Sequence, residues 1–313
     1  MNEVLKYIGK RLIYMIITLF IITTITFYMM HSIQGDPLTA MGRTLPEQTR
    51  ENYKKKYGLD KPTSEQYKIF LKNAVVNHDL GSSYKYPGRE VTTTIKETAP
   101  VSGRIGGQAM LIGLVIGLVL GIVAALNRSR LPDSIIRVVA ILGITIPVFI
   151  MGALLQYFFA AKLRWFPTSG WGGGSFKNTV LPSIAMCFGS IATYARYMRS
   201  NVLEVLNQDY ILTAQAKGVS RFNIIRKHVL RNAILPVITI IGPQIVGIFI
   251  GSFIIENMFS IPGLGFYFVS SIQNRDYPMI IGNTIFYAFL FLVIQLVVDI
   301  VYGLVDPRIK FTE

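Results

Sequence analysis

NVLEVLNQDYILTAQAKGVSRFNIIRKHVLRNAILP, residues 201–236, decides how this chain is built. It is the longest polar run in the second half of an otherwise apolar chain. Lys217, Arg221, Arg226, Lys227 and Arg231 stand against Glu204 and Asp209. Apolar stretches flank it on both sides, 180–197 before and 236–255 after. A basic run between two bilayer-length apolar stretches reads as a loop on the cytoplasmic face. Within it, Val202, Leu203, Val205 and Leu206 continue the apolar stripe of the preceding helix. Asp209 is placed to cap a short helix that ends at Gly218, a natural residue just past a helix C-terminus. Ser220 is placed to cap another. That helix carries Ile224, Ile225, His228 and Val229 on one side and Arg221, Arg226, Lys227 and Arg231 largely on the other. Pro236 opens the next apolar segment. A short helix held rigidly between two spans can transmit a push. A basic amphipathic connector resting on anionic lipid has the same composition.

Working outward, the 313 residues are 51% hydrophobic and only 15% charged, where a soluble domain carries about 25%. The deficit excludes an ordinary soluble domain and points to a polytopic membrane protein. The formal net charge of +14 would suit nucleic acid in a soluble chain. Here Lys and Arg flank apolar segments, which accounts for them without a nucleic-acid partner. The single cysteine, Cys187, allows neither a disulfide nor a thiolate metal site within the chain, and the three histidines are far apart. The first apolar run is too long for a signal-peptide core and is expected to stay as a membrane helix.

A spanning helix needs about 20 apolar residues. Six stretches meet this: 12–30, 106–126, 135–160, 180–197, 236–255 and 279–305. Lys6, Lys10, Arg11, Arg128, Arg130 and the cations of 201–236 fall on one side. The short loops of the other side hold only Arg104, Lys162, Arg164, Lys177 and Arg275. Both termini are therefore expected in the cytoplasm. The expected fold is all-α: six transmembrane helices, a small helical extracytoplasmic insertion after the first, and a cytoplasmic loop between the fourth and fifth. The expected parts are an N-terminal span at 1–30, the insertion at 31–100, the core at 101–305 containing the loop 201–236, and a cytoplasmic tail at 306–313.

The insertion carries helix signals of its own. Thr44-Leu45-Pro46-Glu47 reads as a capping box with an early proline, opening a helix that ends near Tyr57-Gly58. Thr63-Ser64-Glu65-Gln66 reads as a second start, after which Tyr67, Phe70, Leu71 and Ala74 share one face. In the second span Gly113, Gly117 and Gly121 recur every four residues, a spacing that lets backbones approach closely, within the bundle or against a second subunit. Pro147 and Pro243 lie inside the third and fifth spans and are expected to kink them. Two outer loops, around Trp165–Trp171 and around Ile261–Phe266, are rich in Gly, Pro and aromatics. The second is a candidate re-entrant piece.

There is no Walker A loop, HExxH, CxxC or GxSxG, so no catalytic residue and no metal or cofactor site is expected. Among ionisable residues, Asp299 alone reads as a carboxylate well inside a span, a candidate for the pathway or gate or for pairing with a nearby cation. Polar uncharged groups in the spans include Thr23, Thr24, Thr26, Gln108, Thr145, Gln156, Gln244, Ser252, Asn283 and Gln295. Gln244, Asn283, Gln295 and Asp299 are the pathway candidates. Such groups also glue helices together.

Asp209-Tyr210-Ile211-x-Thr213-Ala214-x-Ala216-Lys217-Gly218, followed by His228, Arg231-Asn232-Ala233 and Leu235-Pro236, resembles the EAA loop of bacterial ABC importer permeases in its oligopeptide/dipeptide/nickel form. The resemblance covers nearly the whole chain. It includes Asp79-Leu80-Gly81-Ser82-Ser83, Ile146-Pro147-x-Phe149, Phe166-Pro167-x-x-Gly170 and Glu256-x-x-Phe259-Ser260-Ile261-Pro262-Gly263-Leu264-Gly265. Asn274-Arg275-Asp276-Tyr277-Pro278 and Asp299-x-x-Tyr302-x-x-x-Asp306-Pro307-Arg308 complete it. The outer region and ending look like the first of the two permease subunit types. Leu212 stands where the general pattern has Glu, and Gln295 where this branch often has Asn.

The resemblance implies a bacterial inner-membrane subunit that pairs with a second, homologous permease. It implies two cytoplasmic ATPases, an extracytoplasmic substrate-binding protein, and ATP chemistry confined to the ATPases. Asp209, Tyr210, Thr213, Ala214, Ala216, Lys217 and Gly218 would dock the ATPase. The small alanines would allow close approach, Lys217 would meet acidic groups and Gly218 would permit the turn. The implied cargo is peptide. Nickel chelates or another small solute, or a stand-alone proton-coupled carrier or membrane enzyme, are the alternatives.

Overall fold

The computed structural model describes residues 2–33, 46–86 and 88–305. The Thr44-Leu45 start of the first capping signal and the tail 306–313 lie outside them. Among the described residues the chain is helical, with one isolated bridge between Ser82 and Glu90. It falls into two compact units, Met1–Ser102 with Pro262–Val293, and Gly103–Ile261 with Ile294–Glu313.

In the first unit, α1 (Asn2–Ser32) is followed by α2 (Glu47–Tyr57) and α3 (Thr63–Val76). α2 ends on Gly58 at φ +62°, the left-handed stop expected there. The second start differs from its reading: Pro62 holds the cap position and Thr63 is already helical. The Pro62 carbonyl accepts from the N–H groups of Glu65 and Gln66. Tyr67 and Phe70 pack their rings on Phe27 of α1, and the Tyr67 and Thr24 hydroxyls bond, so α3 is fastened to the end of α1. α12 (Leu264–Gln273) and the start of α13 (Tyr277–Val305) complete the unit. Between them Asp276, fully buried, accepts from the Ser83 hydroxyl and from the N–H groups of Tyr84 at 2.9 Å and Lys85 at 3.3 Å. Burial pushes this carboxyl above its ordinary range, and the three donors pull it back. The expected re-entrant loop is a short buried turn running into α12. Its Gly-Pro-aromatic composition hid a helix of ten residues.

The second unit is built around α7 (Phe176–Leu206). Against it lie α4 (Val91–Leu126), α5 (Leu131–Thr145), α6 (Val148–Leu155, continued as a π-helical stretch Gln156–Lys162) and α11 (Leu235–Met258). Among the described residues, three helices are long and apolar enough to cross a membrane, Lys6–Ser32, Val91–Leu126 and Tyr277–Val301. Leu131–Thr145 with Val148–Lys162 make a fourth if counted together, although the two are bent by 103°. The expected third span, read as one kinked helix, is thus broken outright. Ile146 and Pro147 are both extended, at ψ 119° and 140°, and Pro147 has no N–H with which to carry the helix on. α7 is less apolar than those three helices for a physical reason. It is enclosed by its neighbours, so its buried positions are Ala, Ser and Thr as often as large aliphatics.

Candidate functional site

The loop 201–236 continues α7. It comprises α8 (Asp209–Ala216), the turn at Lys217 and Gly218, then α9 (Arg221–Asn223), a π-helical stretch Ile224–Val229 and α10 (Leu230–Ala233). Gly218 sits at φ +73° with open space around it, so its role is the left-handed turn. Asp209 is the first helical residue and not a cap; Gln208 holds the cap position, and neither it nor Ser220 makes a side-chain cap bond. The loop has a core: Val202, Ile211, Ala214, Ile224, Val229 and Ala233 are buried together with Tyr194 and Met198 of α7. Asn232 donates to the Tyr210 hydroxyl at 3.1 Å, tying α10 to α8.

This core divides the expected docking residues. Asp209, Tyr210, Thr213, Ala216, Lys217 and Gly218 are exposed. Ala214, expected on the contact surface, is 9% exposed and faces the loop's own core, so its small size lets α8 approach the bundle. The exposed surface instead presents Leu212, 59% exposed, and further along Phe222, 70% exposed. The sequence reading passed over both, noting Leu212 only as a departure from a pattern. The signal was there: Ile211 and Ala214, three apart, define an inward stripe, which leaves Leu212 outside it.

Just beyond the loop a carboxylate joins α5 to α7. Asp133, 1% exposed, accepts from Arg199 Nε at 2.6 Å and Nη2 at 2.9 Å and from the Ser129 N–H at 3.0 Å. Arg137 stands 3.6 Å away. Asp133 was missed because it lies outside the expected span boundaries. Glu256, named in the sequence only as part of a family motif, is fully buried in α11, one residue past the expected end of the fifth span.

Gly113, Gly117 and Gly121 face α7 of the same chain. A Cβ added at each would come within 2.6–2.7 Å of Ser190 Cβ, Tyr194 Cβ or the Ala195 carbonyl. Of the two readings of that stripe, packing within the bundle is therefore the one observed.

The polar groups of the spans sort into two kinds. Several are satisfied within the protein: Ser183 of α7 donates to Gln108 of α4 at 3.0 Å, Gln156 donates to the Thr168 carbonyl at 2.5 Å, and Thr145 donates to the Ile141 carbonyl of its own helix at 2.8 Å. Gln295 donates to Asp299 at 3.1 Å, four residues on, so these two pathway candidates occupy each other. Asn283 is fully buried with neither amide atom hydrogen-bonded to a described residue, and it lines no cavity described here. Gln244 differs. It borders a cavity of about 380 Å³ at the break between α5 and α6, shared with Ser190 and Thr193 of α7. None of these three side chains makes a hydrogen bond among the described residues.

Residues 117–311 match the family model described as binding-protein-dependent transport system inner membrane component. Residues 4–105 match the corresponding N-terminal model. The chain is 45% identical over 305 residues to the dipeptide transport system permease protein DppB of Bacillus subtilis, covering 97% of this chain and 98% of that one. It is 41% identical to DppB of Lactococcus lactis, covering 97% and 99%. To the oligopeptide transport system permease protein OppB of Escherichia coli it is 38% identical, covering 98% and 100%. Among solved structures, the inward-facing MetNI methionine ABC transporter matches with a TM-score of 0.57 at 17% identity, covering 69% of this chain and 98% of that one. That likeness places the core in the ABC permease fold.

Proposed function

The chain belongs to the family of binding-protein-dependent transport system inner membrane components, and we propose that it forms half of the pathway of an ATP-driven peptide importer. The observation that carries the cargo is full-length similarity to permeases named for dipeptides and oligopeptides. The partners are a second homologous permease, two cytoplasmic ATPases on which ATP is hydrolysed, and an extracytoplasmic binding protein that delivers peptide. Both termini and the loop 201–236 lie in the cytoplasm, and six segments cross the membrane. The enclosed position of α7 supports the count, because a helix sheltered from lipid need not be apolar all round.

Coupling runs through α8. Leu212, Thr213, Ala216 and Lys217 present an apolar side chain and a cation to the ATPase, with Tyr210 on the opposite flank, while Ile211 and Ala214 bind α8 to the bundle. A push on α8 is carried into α7 by that shared core, and from α7 into α5 through Arg199 and Asp133. Reconstitution with the partner subunits in liposomes tests the function. ATP-dependent uptake of labelled peptide, requiring the binding protein, is expected. Uptake of nickel chelates without peptide uptake would move the cargo to the alternative, and transport by this chain alone would overturn the assembly.

A further inference from the structure

We propose that the cavity at the Ile146 and Pro147 break holds a stretch of extended peptide backbone in transit, with Ser190, Thr193 and Gln244 among its hydrogen-bonding groups. This rests on the peptide-cargo reading above and adds to it a location and a chemistry.

Three side chains meet there without partners. Ser190 is 4% exposed and borders the cavity. Thr193 lies almost one turn further along the same helix, and Gln244 comes from α11. Elsewhere in this unit Gln108, Gln156 and Ser183 have found protein partners. The Tyr194 hydroxyl in the loop core is also without a partner, but only the cavity gathers several such groups, and their donors and acceptors are of the kind a peptide amide completes. The broken backbone adds to them. Pro147 has no N–H to offer the Gly143 carbonyl, and Val148 opens α6 with no side-chain cap. Irregular backbone within a span is tolerated where it lines a cavity, and interrupted helices recur at the substrate sites of transporters.

The remaining lining sets the ligand class. Met151 and Met186 are adaptable apolar surfaces that suit side chains of varied shape. Among the described residues no carboxylate or imidazole lines the cavity; its oxygen donors are the neutral Ser190 and Thr193 hydroxyls and the Gln244 amide, with no negative charge to offset a bare divalent ion. The volume lies at the lower end of the ~300–1,000 Å³ usual for small-molecule sites, room for a short extended stretch and not for a folded chain. Gly189 keeps that room. A Cβ there would come no nearer than 3.9 Å to any atom, so packing does not require glycine, yet a long side chain would fill the cavity.

The test uses the assembled transporter with its binding protein, ATP and a hexapeptide carrying a photoreactive diazirine side chain. Illumination during turnover is expected to link the peptide to α5, α6, α7 or α11 at residues bordering the break, as read by mass spectrometry. Gly189→Leu is expected to lower peptide import by about tenfold or more while the complex still co-purifies intact. Wild-type import with links confined to the partner permease or to other segments of this chain overturns the site. So does wild-type import rate in Gly189→Leu. Absence of peptide import by the wild-type complex would instead remove the cargo reading itself.

Discussion

α7 has two faces, and glycine does opposite work on them. On one, Gly113, Gly117 and Gly121 of α4 lie so close that any Cβ would strike α7 at 2.6–2.7 Å. On the other, Gly189 of α7 and Gly247 of α11 border the cavity, and a Cβ at either meets nothing nearer than 3.9 Å. The first row closes a seam by letting two backbones touch. The second leaves space where packing would accept more. Glycine therefore supports two devices, and only the distance to the neighbour tells them apart: Gly143 of α5 borders the same cavity but is of the close kind, an added Cβ standing 3.0 Å from Ala192 Cβ and the Phe188 carbonyl. A transport subunit needs both, because a pathway can open on one face only if another face holds the helix in place.

The comparison breaks first at Gly117. Gly117→Val sets a branched side chain against Tyr194 Cβ at 2.7 Å and the Ile191 carbonyl at 2.9 Å, and backbone cannot rotate away as a side-chain tip can. The expected loss is about 3 kcal/mol, at the upper end for overpacking. Thermal unfolding of the detergent-solubilised complex should show it, and an unchanged midpoint would mean that the seam is not tight. Next comes the clamp on the α5 side. Arg199→Leu leaves Asp133 buried without its two strongest donors. Breaking a fully buried pair costs about 3–5 kcal/mol; with Arg199 23% exposed, about 2–3 is expected. Asp133→Asn combined with Arg199→Leu should recover part of that loss, and a double variant that only sums the two single losses would deny the coupling.

How much of this was legible depended on whether the signal was local. The helices of the loop follow from Gly218 and from the alternation of Ile224 and Val229 with Arg221, Arg226 and Lys227, all within a few residues. The seam was legible as a spacing, but the partner of Gly113 lies far along the chain at Ser190, and spacing does not name partners. α12 was hidden because Pro262-Gly263 and Gly265 suggest a loop, whereas buried Leu264, its N–H bonded to Ser102 Oγ at 2.8 Å, starts a helix. The cavity was illegible for a deeper reason. Gln108, Gln156 and Gln244 are the same residue in the same kind of segment, and only three-dimensional proximity satisfies two and leaves the third unpaired. The Gln295–Asp299 bond, by contrast, joins residues one turn apart and was within reach of spacing alone.

α8 repeats the contrast on a smaller scale, with an inward face of Ile211 and Ala214 and exposed Tyr210 and Leu212 on its two flanks. Leu212→Asp should leave folding almost untouched, since substitutions at surfaces away from special features usually stay within about 0.5 kcal/mol. It should weaken ATPase association by about tenfold, the loss of one well-placed apolar contact at an interface centre. Pull-down of the ATPases by the purified permease pair measures it. If association is unchanged, the contact lies on another face, and Phe222 becomes the residue to test.

The smallest expected effect has the opposite sign. Gly189→Ala adds one methyl where the nearest atom is 3.9 Å away, an ordinary contact distance. It also removes the entropic cost of glycine inside a helix, about 0.5–1 kcal/mol relative to alanine. The complex should unfold at the same temperature or slightly higher. Gly121→Ala makes the identical chemical change and gains the same entropy, but its methyl would stand 2.6 Å from the Ala195 carbonyl, so it should unfold lower. The two single-methyl variants, measured together, cancel the intrinsic propensity term and leave only the space beside α7. If both move in the same direction, the two faces are not distinct and the opening beside the break is not a property of the fold.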